Sequence, residues 1–501
     1  MPVESNGNRA GTPADEPAIP CPESQPNSVL RRAARASTAL LVRQALVYGA
    51  NIMGSIILAR MLPPEQFGFY GIVLFAIVFL SVFGGTGFAA NLIRISDEPS
   101  TEEMRVLFTA QQLMVGVLFL ALWFAAPFLS SLYRMPEYGR WFFRMIGGAL
   151  VMTSFMVMPQ ILMERELAFD KLAIVEVSQA IAFNVSAVFL AWKGFGPLSF
   201  STSLMVRAAV GAILAYRSEP WKIGLMWHPQ TLFRHLHFGI QLQAGQFVGI
   251  LKDSISPLFV GMFLGAREVG YVTWASGLAA YAIWILMPLQ RLYLPLFARL
   301  QQDREQLRRA VAFAAWMSNA IAAPLTVITL VLSRAITILI FGQKWLVVLP
   351  LAYLFCFGNL FAPCSFPMLG ALNALGKSKS TLSMAVMWMG TTWLFGVPCI
   401  ILFGLNGFGV ALIGVQLTNL VLFWLVWRAI FLSPLPAYWP SWPLAGGVGI
   451  LLLLIQHSFP VHSLWMLCCY GAVGLIAYGS AMWFGYPQRI RTIFKLFERP
   501  A

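Results

Sequence analysis

About fourteen apolar stretches follow one another from Thr38 to residue 485, each long enough to cross a bilayer as a helix. Short polar or turn-forming breaks set their limits at 38–62, 69–94, 104–133, 139–163, 168–192, 196–217, 237–264, 269–298, 309–340, 345–375, 381–404, 407–431, 440–457 and 462–485. In hydrocarbon a backbone must satisfy its own N–H and C=O groups, so such a chain folds as a bundle of membrane helices. Of the 501 residues, 58% are hydrophobic and only 11% charged. A soluble domain is closer to half and a quarter, which excludes a large soluble protein. The formal charge of +14 is spread through short loops. Lys and Arg gather in cytoplasmic loops of membrane proteins, so this excess points to no nucleic-acid partner.

Residues 1–28 are rich in Pro, Ser, Glu and Asn and have no apolar core. They predict a disordered tail (1–36) rather than a signal peptide. Arg31, Arg32 and Arg35 hold that tail in the cytoplasm. With both termini inside, roughly 22 Lys and Arg fall in cytoplasmic segments against about 6 outside. The alternation runs from Arg94 and Arg105 through Lys377 and Lys379 to a basic tail at 487–501. Six cysteines make no CxxC pair, and His228, His235 and His237 share a loop without other ligand types. No disulfide framework, metal site or cofactor is expected.

The chain also repeats itself. "ARMLPPEQFGFYGIVLF" (59–75) reads against "GMFLGAREVGYVTWASG" (261–277) at a shift of 202 residues. Leu62 matches Leu264, Phe67 matches Val269, Gly68 matches Gly270, and Phe69 matches Tyr271. In both copies a helix ends, a short turn follows, and the next helix opens with Gly and an aromatic. The copies fall at the ends of the first and seventh spans. They predict two six-helix bundles in parallel orientation (37–217 and 237–432), a cytoplasmic linker (218–236) and two additional helices within 433–486. Repeats of this kind hold substrate between the halves near the midplane.

Six basic side chains remain inside spans, namely Arg43, Arg144, Arg207, Lys252, Arg291 and Arg334, against two acidic ones, Glu176 and Asp253. Intramembrane ions face a cavity or a partner and are functional candidates by default. An excess of cations suits an anionic cargo and opposes a cavity built for cationic drugs. Arg144 and Arg334 lie near span ends, where snorkelling accounts for them. Arg43, a turn or so inside the first span, is within snorkelling reach of the inner interface, but it shares a polar stripe with Gln44, Tyr48, Asn51 and Ser55, which a lipid-facing helix would not carry. Arg207 lies too deep to snorkel easily and is open between a binding role and an interhelical bond.

Lys252 shares a stripe with Gln241, Gly245, Gly249 and Ser256, while Asp253 points about 100° away around the helix. The pair is therefore not expected to be self-contained. Lys252 is expected to face a cavity and Asp253 to bond Arg207 or Arg291, with interhelical glue as the alternative. Pro257, one turn on, marks a hinge candidate. Arg291 follows Pro288 on a face with Gly277, Tyr281 and Trp284, whose rings either stack on sugars or pack in the core. Glu176 is open between coupling an ion (H+ or Na+) and pairing helices. The expected binding set is Arg43, Asn51, Lys252, Arg291 and Arg207, with Asp253 and Glu176 as coupling or structural carboxylates.

Four stretches resemble a known family: "ILARMLPPEQFGFYG" (57–71), "DSISPLFVGMFLGAREVGYV" (253–272), "LPLFARLQQDREQLRRA" (294–310) and "FGQKWLVVLPLAYLF…LGALNALGKSKSTL" (341–382). In order and spacing they are similar to the polysaccharide-flippase branch of the multidrug/oligosaccharidyl-lipid/polysaccharide exporter superfamily. The resemblance implies a V-shaped pair of bundles alternating between inward-open and outward-open states. Its implied cargo is an undecaprenyl-pyrophosphate-linked oligosaccharide, moved across a bacterial inner membrane for exopolysaccharide, capsule or O-antigen synthesis. The implied partners are the polysaccharide polymerase and export machinery. Peptidoglycan-precursor flippases and drug exporters of the superfamily are the nearer alternatives, and a membrane enzyme acting on lipid-linked sugars the further one. Short outer loops and the internal repeat speak against an enzyme.

Overall fold

The computed structural model describes residues 26–83, 92, 99–166, 168–233 and 247–487. The expectations for the tail before residue 26, the end of the second span, the start of the seventh span with the adjoining linker, and the basic tail beyond 487 lie outside the described residues. Among the described residues every regular element is helical. The first set is α1 (Pro26–Met61), α2 (Pro64–Phe83), α3 (Thr101–Leu132), α4 (Gly139–Ser154), α5 (Val157–Arg165), α6 (Phe169–Trp192) and α7 (Leu198–Ser218). A π-helical turn at Ile255–Val260 precedes α8 (Ala266–Trp284), α9 (Met287–Arg299), α10 (Arg304–Ile336), α11 (Leu349–Gly358), α12 (Ala362–Ala374), α13 (Ser378–Leu417) and α14 (Asn419–Ile430). Last come α15 (Ser441–Ser458) and α16 (Leu464–Gly485).

Nine helical segments among the described residues are long and apolar enough to cross a membrane, and the bent pair α8–α9 (58°) makes a tenth if it is one span. The protein is thus an all-helical, multi-pass membrane protein. The count falls short of fourteen for physical reasons. Three expected spans, the first, second and seventh, are not among these segments, the second and seventh running into residues outside the description, and Ser378–Ile430 counts as a single 53-residue segment. At 1.5 Å per residue that segment is about 80 Å long, far more than one bilayer core. Gly404 breaks it, with φ 60° and ψ −140°, where the sequence predicts a break at 404–407. Beyond it Gly407 packs on the carbonyl of Cys399, so the chain doubles back there.

Local signals set several starts. The Ser100 hydroxyl accepts from the Glu103 N–H at 3.1 Å while the Glu103 carboxylate accepts from the Ser100 N–H, a reciprocal cap that opens α3. Asp303 caps α10 by accepting from the N–H groups of Glu305 and Gln306.

In the first set α1 packs on α6, α6 on α7, α7 on α4, and α4 on α3. In the second, α8 and α13 pack on α11 and α12 packs on α10, which also carries α15 and α16. The sets meet most extensively where α2 crosses α8. A Cβ on Gly68 would enter the shell of the Ala266 carbonyl oxygen, and a Cβ on Gly270 that of the Pro64 carbonyl oxygen. The repeat-related glycines thus let the two backbones touch at a local twofold. Trp345, fully buried, completes the junction: it meets the rings of Phe67 (5.2 Å) and Trp274 (5.4 Å) and donates its indole N–H to the Ala59 carbonyl at 3.0 Å. Lys344 donates to the carbonyls of Arg60 (3.0 Å) and Leu62 (2.6 Å), which the end of α1 leaves open.

Candidate functional site

Next to this junction lies a cavity of about 620 Å³. Helix α2 supplies Gly71, Leu74 and Phe75, α8 supplies Thr273, Ser276 and Trp284, and Asn359 and Gln416 close the far wall. The chain entering the π-helical turn contributes Lys252, Asp253 and Ser256. That chain is held from two sides: Trp393 donates its indole N–H to the Leu251 carbonyl at 2.8 Å, and Tyr133 donates its hydroxyl to the Pro257 carbonyl at 2.6 Å. Pro257 lacks an N–H, which accounts for the irregular turn at the expected hinge position.

Lys252 and Asp253 both line the cavity, but they differ from expectation in one respect. Lys252 Nζ lies 3.0 Å from Asp253 Oδ1, so the two adjacent residues pair with each other, which the helical angle did not predict. The long lysine stem spans the angle that separates the two Cβ atoms, which the helical-wheel argument leaves out. Asp253 is thus paired with Lys252 rather than with Arg207, which lies instead in the surroundings of Glu176. Arg291 is on α9, and its side chain lies outside the described residues, as do Gln241 and Gly245.

The remaining predicted residues gather elsewhere, inside the first helix set. Arg43, 8% exposed, donates to Glu176 Oε1 at 3.1 Å. Asn51 Oδ1 accepts from Asn184 Nδ2 at 2.9 Å. Both pairs are 133 residues apart, so α1 and α6 run parallel and in register. Arg207, half-buried on α7, joins the field of Glu176, and Glu164 shares that of Glu176 and Arg43. Arg43 and Glu176 offset each other's charge in this cluster. Glu164 escaped the sequence reading because it falls just past the break assigned to the fourth span. Arg43 is thus tied to a carboxylate rather than placed on the cavity wall. Arg144 packs over the rings of Trp123 (4.4 Å) and Trp141 (5.3 Å), and Arg334 is exposed.

The rest of the α1 stripe faces α8. The rings of Tyr48 and Trp284 are parallel within 3° with centroids 5.8 Å apart, and Tyr281 meets Trp284 edge-on at 5.4 Å. A mostly apolar wall with one accessible ion pair and aromatic faces suits a large amphiphile with a charged group.

The family described as "Polysaccharide biosynthesis protein" matches residues 57–350. The chain belongs to that family. Within this family setting, it is 26% identical over 404 residues to the "Lipopolysaccharide biosynthesis protein WzxC" of Escherichia coli (strain K12), covering 77% of this chain and 78% of that protein. It is 22% identical over 320 residues to the "Succinoglycan biosynthesis transport protein ExoT" of Rhizobium meliloti (strain 1021), 64% of each. Its fold matches the solved structure of the lipid II flippase MurJ in an inward closed conformation, with a TM-score of 0.74 at 11% identity over 91% of this chain and 100% of that one. The family is the one that the four sequence stretches resemble. Three of those stretches meet at the junction of Gly68, Gly270 and Trp345.

Proposed function

We infer that the protein is a flippase for undecaprenyl-pyrophosphate-linked oligosaccharides, seated in a bacterial inner membrane with both termini in the cytoplasm. The observation that carries this reading is Lys252, a cation in the wall of a largely apolar cavity between the two helix sets. Its partner Asp253 is 68% exposed, and exposed ion pairs are worth about 1 kcal/mol or less. A pyrophosphate, with more charge and more acceptor oxygens, displaces that carboxylate readily. Arg291, on α9, is the second cation of this reading, while Arg43 is paired with Glu176 inside the first set. The prenyl chain stays in lipid and the glycan follows the cavity.

The charge asymmetry of the loops puts the Gly68–Gly270 junction at the outer end. In this reading the described state is closed to the outside, with Lys344 and Trp345 latching the second set to the end of α1. Separation of that latch, while the opposite ends approach, releases cargo outward. Membership of the family favours a sugar-bearing carrier over a drug, and transport over catalysis. The polymerase and the export machinery then take the delivered unit.

The test is export in cells deleted for the gene. Wild-type protein clears the lipid-linked oligosaccharide that builds up there, and a stably inserted Lys252→Ala, Arg291→Ala double variant does not. Normal export by that variant contradicts the assignment.

A further inference from the structure

Trp284 belongs to the walls of two cavities. One is the cavity that holds Lys252. The other, of about 390 Å³, lies between α1 and α8 and is lined by Gln44, Tyr48, Tyr281 and Pro288 as well. The Tyr48–Trp284 stack closes this second space and joins the two helix sets through their aromatic faces. All three rings are only half-buried, so they are neither sealed in a core nor given over to lipid. A pyranose offers a similar shape to an aromatic ring: a flat apolar C–H face with hydroxyls at its edge. Trp284 supplies a face of that kind, and Gln44 and Ser276 put polar groups nearby.

We propose that Trp284 is the stacking platform for the sugar next to the pyrophosphate, and that Tyr48 competes with that sugar for the same ring. In this structure Tyr48 covers Trp284. Cargo replaces the Tyr48 ring with a pyranose, which keeps Trp284 covered while loosening the α1–α8 contact. Glycan recognition and separation of the helix sets thus become one event. This rests on the reading of the cargo as a lipid-linked oligosaccharide and adds to it the residue that reads the glycan.

Competition has a sign that simple packing lacks. The experiment measures binding to full-length protein in nanodiscs with two probes, bare undecaprenyl pyrophosphate and the lipid-linked oligosaccharide that accumulates in cells lacking this protein. Wild-type protein binds the glycosylated carrier more tightly than the bare one. Trp284→Ala weakens the glycosylated carrier about tenfold and leaves the bare one unchanged, while Trp284→Phe keeps most of the preference. Tyr48→Ala, which removes the competitor, tightens the glycosylated carrier severalfold. An unchanged preference in Trp284→Ala, or weakening by both alanine substitutions, overturns the proposal. Wild-type protein that binds neither probe overturns the flippase reading itself, and the proposal with it.

Discussion

Glu65 and Arg267 stand at equivalent positions of the 202-residue repeat, carry opposite charges, and meet across the junction at 3.4 Å. The repeat has become its own partner there: Gly68 lies against the Ala266 carbonyl and Gly270 against that of Pro64, one turn below the ion pair. The exposed pair adds little energy. Close backbone contact is what the site depends on, and Gly270→Val tests it. Overpacking costs about 1–3 kcal/mol. A bismaleimide cross-link between Glu65→Cys and Arg267→Cys is expected to form efficiently with Gly270 present and to fall about tenfold with Val there. Equal cross-linking would remove the glycine contact from the closure.

Arg43 and Glu176 make a second, quantitative case. Arg43 is buried and Glu176 is 38% exposed, so breaking the pair costs less than for a fully buried one, about 2 kcal/mol. Arg43→Met is expected to lower the thermal midpoint in detergent, and adding Glu176→Gln to restore much of the loss. Independent, additive losses in the double variant would show that the two residues do not stabilise each other.

Asp253 holds Lys252 in the cavity wall. Asp253→Asn removes the competing carboxylate but keeps the shape. Bare undecaprenyl pyrophosphate is then expected to bind severalfold more tightly, with slower turnover in a reconstituted flipping assay. Weaker binding would make Asp253 part of the anion site rather than its competitor.

The assigned orientation is open to direct labelling. Glu137, on the turn between α3 and α4, and Lys379, at the start of α13, are both exposed. In a cysteine-free background and right-side-out spheroplasts, an impermeant maleimide should label Glu137→Cys and not Lys379→Cys. The reverse pattern would invert the transporter.

Helix breaks were legible because run length and a glycine such as Gly404 are local properties. The repeat was legible too, and its meaning became clear only when Gly68 and Gly270 proved to touch. Ion partners were not legible. Arg43 finds Glu176 across 133 residues, and nothing near Arg43 in sequence names that carboxylate. A helical angle of about 100° separates Asp253 from Lys252, yet the flexible lysine stem spans it. The stack of Tyr48 on Trp284 likewise needs two helices brought side by side, which no single helix pattern contains.

The central claim is that Lys252 receives the phosphate of a lipid carrier, and equilibrium binding of bare undecaprenyl pyrophosphate to purified protein tests it most directly. Lys252→Ala is predicted to weaken binding at least tenfold, about 1.4 kcal/mol or more, with the thermal midpoint unchanged. Wild-type affinity in that variant would contradict the account.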